Sequence, residues 1–137
     1  MSVLDTALYD VMAGDAQLVS MLALYKGLPG VFNSHPVPGD AGLPYIVSAG
    51  DVTHLPWDTK NSRGRSIIRD IRAYAGADGS VVIIDAIAER VRALFHRRAL
   101  SIQGYNWVIS DVNGPVALDG DGVYGRTVSL SVKAQEA

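Results

Sequence analysis

His35, His54 and His96 are the side chains best suited to hold a metal or move a proton near neutral pH. None forms a helical i, i+4 pair with another histidine, the spacing that would set two rings on one metal. His54 falls late in an extended arm and His96 at a helix end, where the ring can bond backbone carbonyls, so all three are expected to be structural or solvent-exposed. The crossing Asp111-Val112-Asn113-Gly114 to Asp119-Gly120-Asp121-Gly122 offers oxygen ligands. It lacks the alternating positions and closing carboxylate of a calcium loop, with Pro115 and Val116 in its middle, so a turn chosen for permissive backbone angles is expected. No serine sits in a Gly-x-Ser-x-Gly elbow, and no glycine run has the phosphate-binding spacing. Asp85 and Glu89 are a helical i, i+4 pair whose simplest role is solvation beside Arg90 and Arg92. With no cysteine there is no thiolate, disulfide or Cys-based zinc site. Catalysis, metals and cofactors are therefore not expected.

One segment has the composition of a contact surface instead. Trp57-Asp58-Thr59-Lys60-Asn61-Ser62-Arg63-Gly64-Arg65 sets an indole beside Lys60, Arg63 and Arg65 on a flexible, exposed crossing. Trp and Arg are enriched where proteins grip one another, and basic aromatic segments also touch nucleic acid. The overall charge of −2 weighs against nucleic acid as the main partner.

The elements that would carry this crossing are two extended arms, Pro44–Pro56 and Arg65–Ala75, rich in β-branched and aromatic residues. Along the second arm Ile67, Ile71, Ala73 and Ala75 share one face. Arg69 interrupts that face and must find a carboxylate or a way out to water. Ser2 to Met12 predicts an amphipathic helix, and Asp15 predicts the cap of a second running through Ala23. Gly27 to Gly42 reads as an irregular surface connection with an extended piece at Val31-Phe32-Asn33. Val82–Leu94 is the clearest helix, with Ile84, Ile87, Ala88, Val91, Leu94 and Phe95 forming one stripe, and His96-Arg97-Arg98 suits the negative end of its dipole. A second hairpin has arms near Tyr105–Asn113 and Val123–Ala134. Its last arm sets Val128, Leu130 and Val132 on one side, and Thr127, Ser129, Ser131 and Lys133 on the other. These readings predict an α+β fold: a mainly antiparallel four- to five-stranded sheet from two long hairpins, with N-terminal helices and one long central helix on one face.

At 137 residues and 48% hydrophobic side chains the chain is expected to form a single domain, residues 1–137, with a real core. No apolar run reaches the length of a membrane span, and Met1-Ser2-Val3-Leu4-Asp5 lacks the pattern of a secretory signal, so no membrane partner is expected. The charge is uneven: residues 60–98 come to about +5 and residues 1–59 to about −5. Such a split favours head-to-tail association.

The order of elements resembles the small tail completion or tail terminator proteins of long-tailed bacteriophages and gene transfer agents. The resemblance rests on the N-terminal helices with Leu4, Leu8 and Leu18 and on the Gly/Pro stretch ending in Leu43-Pro44-Tyr45-Ile46-Val47. It continues through the strand Ile67 to Ala75, the helix Val82–Leu94 and the strand Arg126–Val132. It implies a virion tail subunit, assembled in the host cytoplasm, that forms a homo-oligomeric ring, usually six-fold, on the last ring of the tail tube protein. Such a ring ends tube polymerisation and offers a surface to the head-connector or stopper protein, while DNA passes through its lumen without sequence-specific contact. Trp57, Lys60, Arg63 and Arg65 then correspond to the subunit or tube interface, and Thr127, Ser129, Ser131 and Lys133 to a lumen or subunit face. A head-completion or stopper ring of the neck is the neighbouring reading. A small α+β enzyme or ligand-binding domain is the reading from a different class.

Overall fold

Two long strands with alternating apolar residues need a cover on one side, and the helices supply it. The computed structural model describes residues 2–34, 36–120 and 122–137, with the backbone alone at Ala49. His35, expected to be structural or exposed, and Asp121 lie outside the described residues. In chain order the elements are α1 (Ser2–Ala13), α2 (Ala16–Val19), β1 (Leu24–Tyr25), β2 (Leu28–Pro29), β3 (Val31–Phe32), β4 (Tyr45–Pro56), β5 (Gly64–Gly76), α3 (Val82–Phe95), β6 (Tyr105–Ala117) and β7 (Val123–Glu136). The main sheet runs β3-β4-β5-β7-β6, antiparallel except for the β3–β4 pair, while β1 and β2 form a separate ribbon. The expected α+β class is thus present, with β3 as an addition.

Helix α3 buries Ile84, Ile87, Ala88, Val91 and Phe95, and α1 buries Leu4, Ala7, Leu8 and Met12. These join Ile67, Ile71, Val128, Leu130 and Val132 of the sheet in one cluster. Each of the larger side chains among them, fully withdrawn from water, contributes about 1.5–3 kcal/mol. Asp15 caps α2 as expected, its Oδ2 accepting from the Leu18 amide at 2.9 Å. The same carboxylate receives two hydrogen bonds from Arg90, at 2.9 and 2.7 Å, which ties α2 to α3.

Several expectations need correction. Helix α2 ends at Val19 instead of Ala23, because Met21 and Leu22 donate to the carbonyls of Leu18 and Val19 and tighten the chain into turns. The Gly27–Gly42 stretch is no mere surface excursion, since β3 pairs with Ile46 and Val47 and puts Val31 in the core. Strand β6 extends past Asn113 to Ala117. A register shift between Asn113 and Val116 absorbs Gly114 and Pro115, so the crossing shrinks to residues 118–122. Gly114 has φ +98°, and a Cβ there would stand 2.9 Å from the Thr127 carbonyl oxygen.

Asp85, expected to serve solvation, is instead part of an ion pair with Arg126, and the neighbouring Arg90 and Arg92 are anchors. Arg90 holds Asp15, and Arg92 donates to the Val112 carbonyl at 2.5 Å. Asp85 bonds Arg126 at 2.8 Å. At the end of α3 the His96 ring accepts from the Val112 amide through Nδ1 at 3.0 Å, and Arg97 pairs with Asp111 at 2.5 Å. The basic residues after α3 therefore dock the helix end onto β6.

Candidate functional site

The β4–β5 hairpin carries charge in two very different settings. Near its middle Arg69 is 1% exposed on the core side of the sheet. Its Nε and Nη2 donate to Asp51 Oδ1 at 3.0 and 2.5 Å, and Nη1 donates to Asp5 of α1 and lies 3.5 Å from the Ser48 hydroxyl. The interruption in the apolar face thus has its carboxylates. Burial works against the Asp51 charge, but hydrogen bonds and nearby positive charge, those of Arg69 first among them, outweigh it and hold the Asp51 carboxyl below the usual range. His54 Nδ1 lies 3.3 Å from Asp51 on the exposed side of this cluster. A fully paired buried arginine is a fastening between α1 and the hairpin.

Beyond that cluster the hairpin leaves the body. Val52 to Pro56 are all exposed, with Val52 at 58% and Leu55 at 59%. β3 pairs only with Ile46 and Val47, so among the described residues no strand lies beside the outer edge of this distal half. The crossing itself is shaped by its own bonds. Trp57 N donates to Gly64 O at 2.9 Å and Thr59 N to Ser62 O at 2.8 Å. The Thr59 and Ser62 hydroxyls meet at 2.5 Å, and Gly64 N reaches Asp58 Oδ1 at 3.1 Å. Lys60 and Asn61 are left at the turn, and Lys60 and Arg63 are exposed.

The two predicted patches meet. Lys133, on the polar face of β7, places its ammonium 5.7 Å from the centre of the Trp57 ring. This fit depends on Gly64, where a Cβ would stand 2.6 Å from the Trp57 carbonyl oxygen and 2.7 Å from that of Ala134. Trp57 and Lys133 therefore share one surface, and the exposed Lys60 and Arg63 lie on the adjoining turn. Arg65 does not join it: paired with Ala134, it sits on the helix side of the sheet, 3.9 Å from Glu136.

The polar face is half-buried and partly satisfied within the chain. Ser129 donates to Asp70 at 2.8 Å, and Asp70 lies 3.9 Å from Arg72. Ser131 stands between Ile68 and Asp111 in register. Thr127 Oγ1 is buried without a hydrogen-bond partner among the described residues. Among the described residues no group of three His, Asp or Glu side chains could hold a metal ion, and no helix is long and apolar enough to cross a membrane. A hollow of about 620 Å³ between α1 and residues Ser101 and Gln103 has Asp10 as its one titratable lining group among the described residues.

Sequence reasoning missed the opposite end of the strands. There Leu24, Leu28, Val82 and Ile83 are each more than half exposed. A signal existed: in Val81-Val82-Ile83-Ile84 one helical stripe can bury only part of the run, and it takes Ile84. A row of rings, Tyr25, Phe32, Tyr45 and Tyr74, also runs across this end at successive centroid distances of 5.6, 5.8 and 5.7 Å.

No family model and no curated protein matches the sequence. Among solved structures, a chain in the virion of a native gene transfer agent particle superposes with a TM-score of 0.78 at 17% identity. The match covers 96% of this chain and 94% of that one. A second solved chain gives a TM-score of 0.57 at 14% identity, covering 99% and 94%. At these identities the likeness establishes a shared fold.

Proposed function

We propose that this chain is a structural virion subunit, a tail terminator that assembles through its β4–β5 hairpin into a ring, hexameric in the reading adopted here, on the end of a tail tube. The observation that carries the assembly reading is the hairpin's distal half, which projects with an unpartnered edge, exposed Val52 and Leu55, and a basic tip braced by Lys133 on Trp57. A monomer gains nothing from an exposed apolar strand edge; a neighbour covers it. The virion setting is supported by the end-to-end likeness to a chain of a gene transfer agent particle. In this reading the ring stops tube growth, meets the tail tube protein on one side and the head connector on the other, and lets DNA pass through its lumen. The polar face with Thr127, Ser129, Ser131 and Lys133 lines the lumen or a subunit contact.

Electron microscopy of the purified chain tests this reading. Rings with a central hole wide enough for duplex DNA are expected. Monomers at every concentration, at low salt, would overturn it.

A further inference from the structure

We infer that the end of the sheet opposite the hairpin tip is the seat for the tip of a second copy, so that copies join head to tail. This rests on the ring reading above and names the two surfaces that meet.

The seat is apolar, and its apolar groups are built to face water in the isolated chain. Val82 is 72% exposed, Leu24 and Leu28 are each 61%, Ile83 is 53%, and Leu43 and Val81 are each 38%. They are held close by the fold. Ile83 and Pro44 line one shallow hollow of about 400 Å³ with Gly76, Ala77 and Gly122. The Pro44 carbonyl accepts from Ala23, which brings the β1–β2 ribbon beside Leu43. Lys26 and Gly27, with φ of 51° and 80°, close that ribbon in the tight hairpin geometry that keeps Leu24 and Leu28 at the surface. A monomer scatters single apolar residues over its surface; a gathered group of this size marks a contact.

Charge selects the occupant. The rim of the seat carries Asp40, Asp78, Asp85 and Asp119 against Lys26 and Arg126, a net negative set. The tip carries Lys60, Arg63 and Lys133 against Asp58, a net positive set. It also brings its own apolar part, Leu55 and Trp57. Two tips or two seats facing each other would set like charges together, whereas tip on seat sets opposite charges around an apolar centre. The contact is therefore heterologous, the kind that closes into a ring when the rotation between copies allows it.

Two variants test this by complementation. Lys60→Glu with Arg63→Glu spoils the tip, and Leu28→Glu with Val82→Glu spoils the seat; all four positions are exposed, so both variants keep their fold by circular dichroism. Each alone is expected to run as a monomer by light scattering. Mixed one to one, they retain one intact tip and one intact seat and are expected to form dimers and nothing larger. Should the double seat variant fail to fold, Val82→Gln alone is expected to weaken assembly by about tenfold. A seat variant that assembles like the wild type would overturn this inference and leave the ring reading standing. A mixture that stays monomeric would overturn it as well. A wild-type chain that never assembles would remove the ring reading and the inference together.

Discussion

Arg69 and Arg63 lie on the same hairpin, six residues apart in number, and do opposite work. Arg69 is sealed at 1% exposure with Asp5, Asp51 and Ser48 around it, so its charge is already answered within the chain. Arg63 and Lys60 stand on an exposed turn, where the bonds that shape the loop involve Thr59, Ser62, Asp58 and Gly64 and leave both cations facing outward. The lesson is that basic residues on a projecting element divide by what surrounds them. Those near the body fasten the hairpin, and those at the tip are available to a partner.

The largest effect that would break this comparison lies in the sealed cluster. Asp51→Ala removes the main partner of a buried guanidinium and is expected to lower stability by about 3–5 kcal/mol, read by chemical denaturation. Gly64→Ala comes next, because its Cβ would press on two carbonyl oxygens; a loss of about 1–3 kcal/mol is expected. Acid sharpens the same contrast. Asp51 is held below its ordinary range against the cost of burial by nearby positive charge, Arg69 first, and Asp15 is held low by hydrogen bonds from Arg90, again opposed by burial. Both shifts are depressions, so their stabilisation is complete above the ordinary carboxylate pKa and fades as pH falls below about 4. Denaturation midpoints measured down through that window should drop, and Asp51→Asn should flatten part of the drop. The smallest of these effects belongs to the tip: Lys133→Ala should cost about 0.5–1 kcal/mol by loosening Trp57.

The long elements were legible because they repeat their pattern often enough. The stripe from Ile84 to Phe95 runs about three turns and the alternation from Ile67 to Ala75 nine residues, and both match the observed helix and strand closely. The starts of α2 and β3 showed through Asp15 and Val31-Phe32, but α2 and strands β1 to β3 have two to four residues each, too few for a period to fix their extent, and the pairing of β3 follows from Ile46 and Val47. The break at Arg69 was visible in the strand, but its Asp5 partner comes from 64 residues away, a distance no local pattern spans. The candidate surface was half legible. Trp57 and Lys133 were separately expected to face a neighbour, and only the β5–β7 register brings them together. Arg65 was misplaced by one step of the same alternation. Hydropathy alone does not mark the leucines and valines at the far end as exposed, because it states a preference for burial and not whether the fold supplies the cover.

The most direct test of the account is the molar mass of the wild-type chain beside the Lys60→Glu, Arg63→Glu variant, measured by light scattering at low and high salt. Both chains are expected to unfold at the same denaturant concentration, within about 0.5 kcal/mol, since these are exposed substitutions. The wild type is expected to form a closed multimer that weakens as salt rises, and the variant to remain a folded monomer throughout. Equal masses for the two chains at low salt would contradict the claim that the hairpin tip joins one subunit to the next.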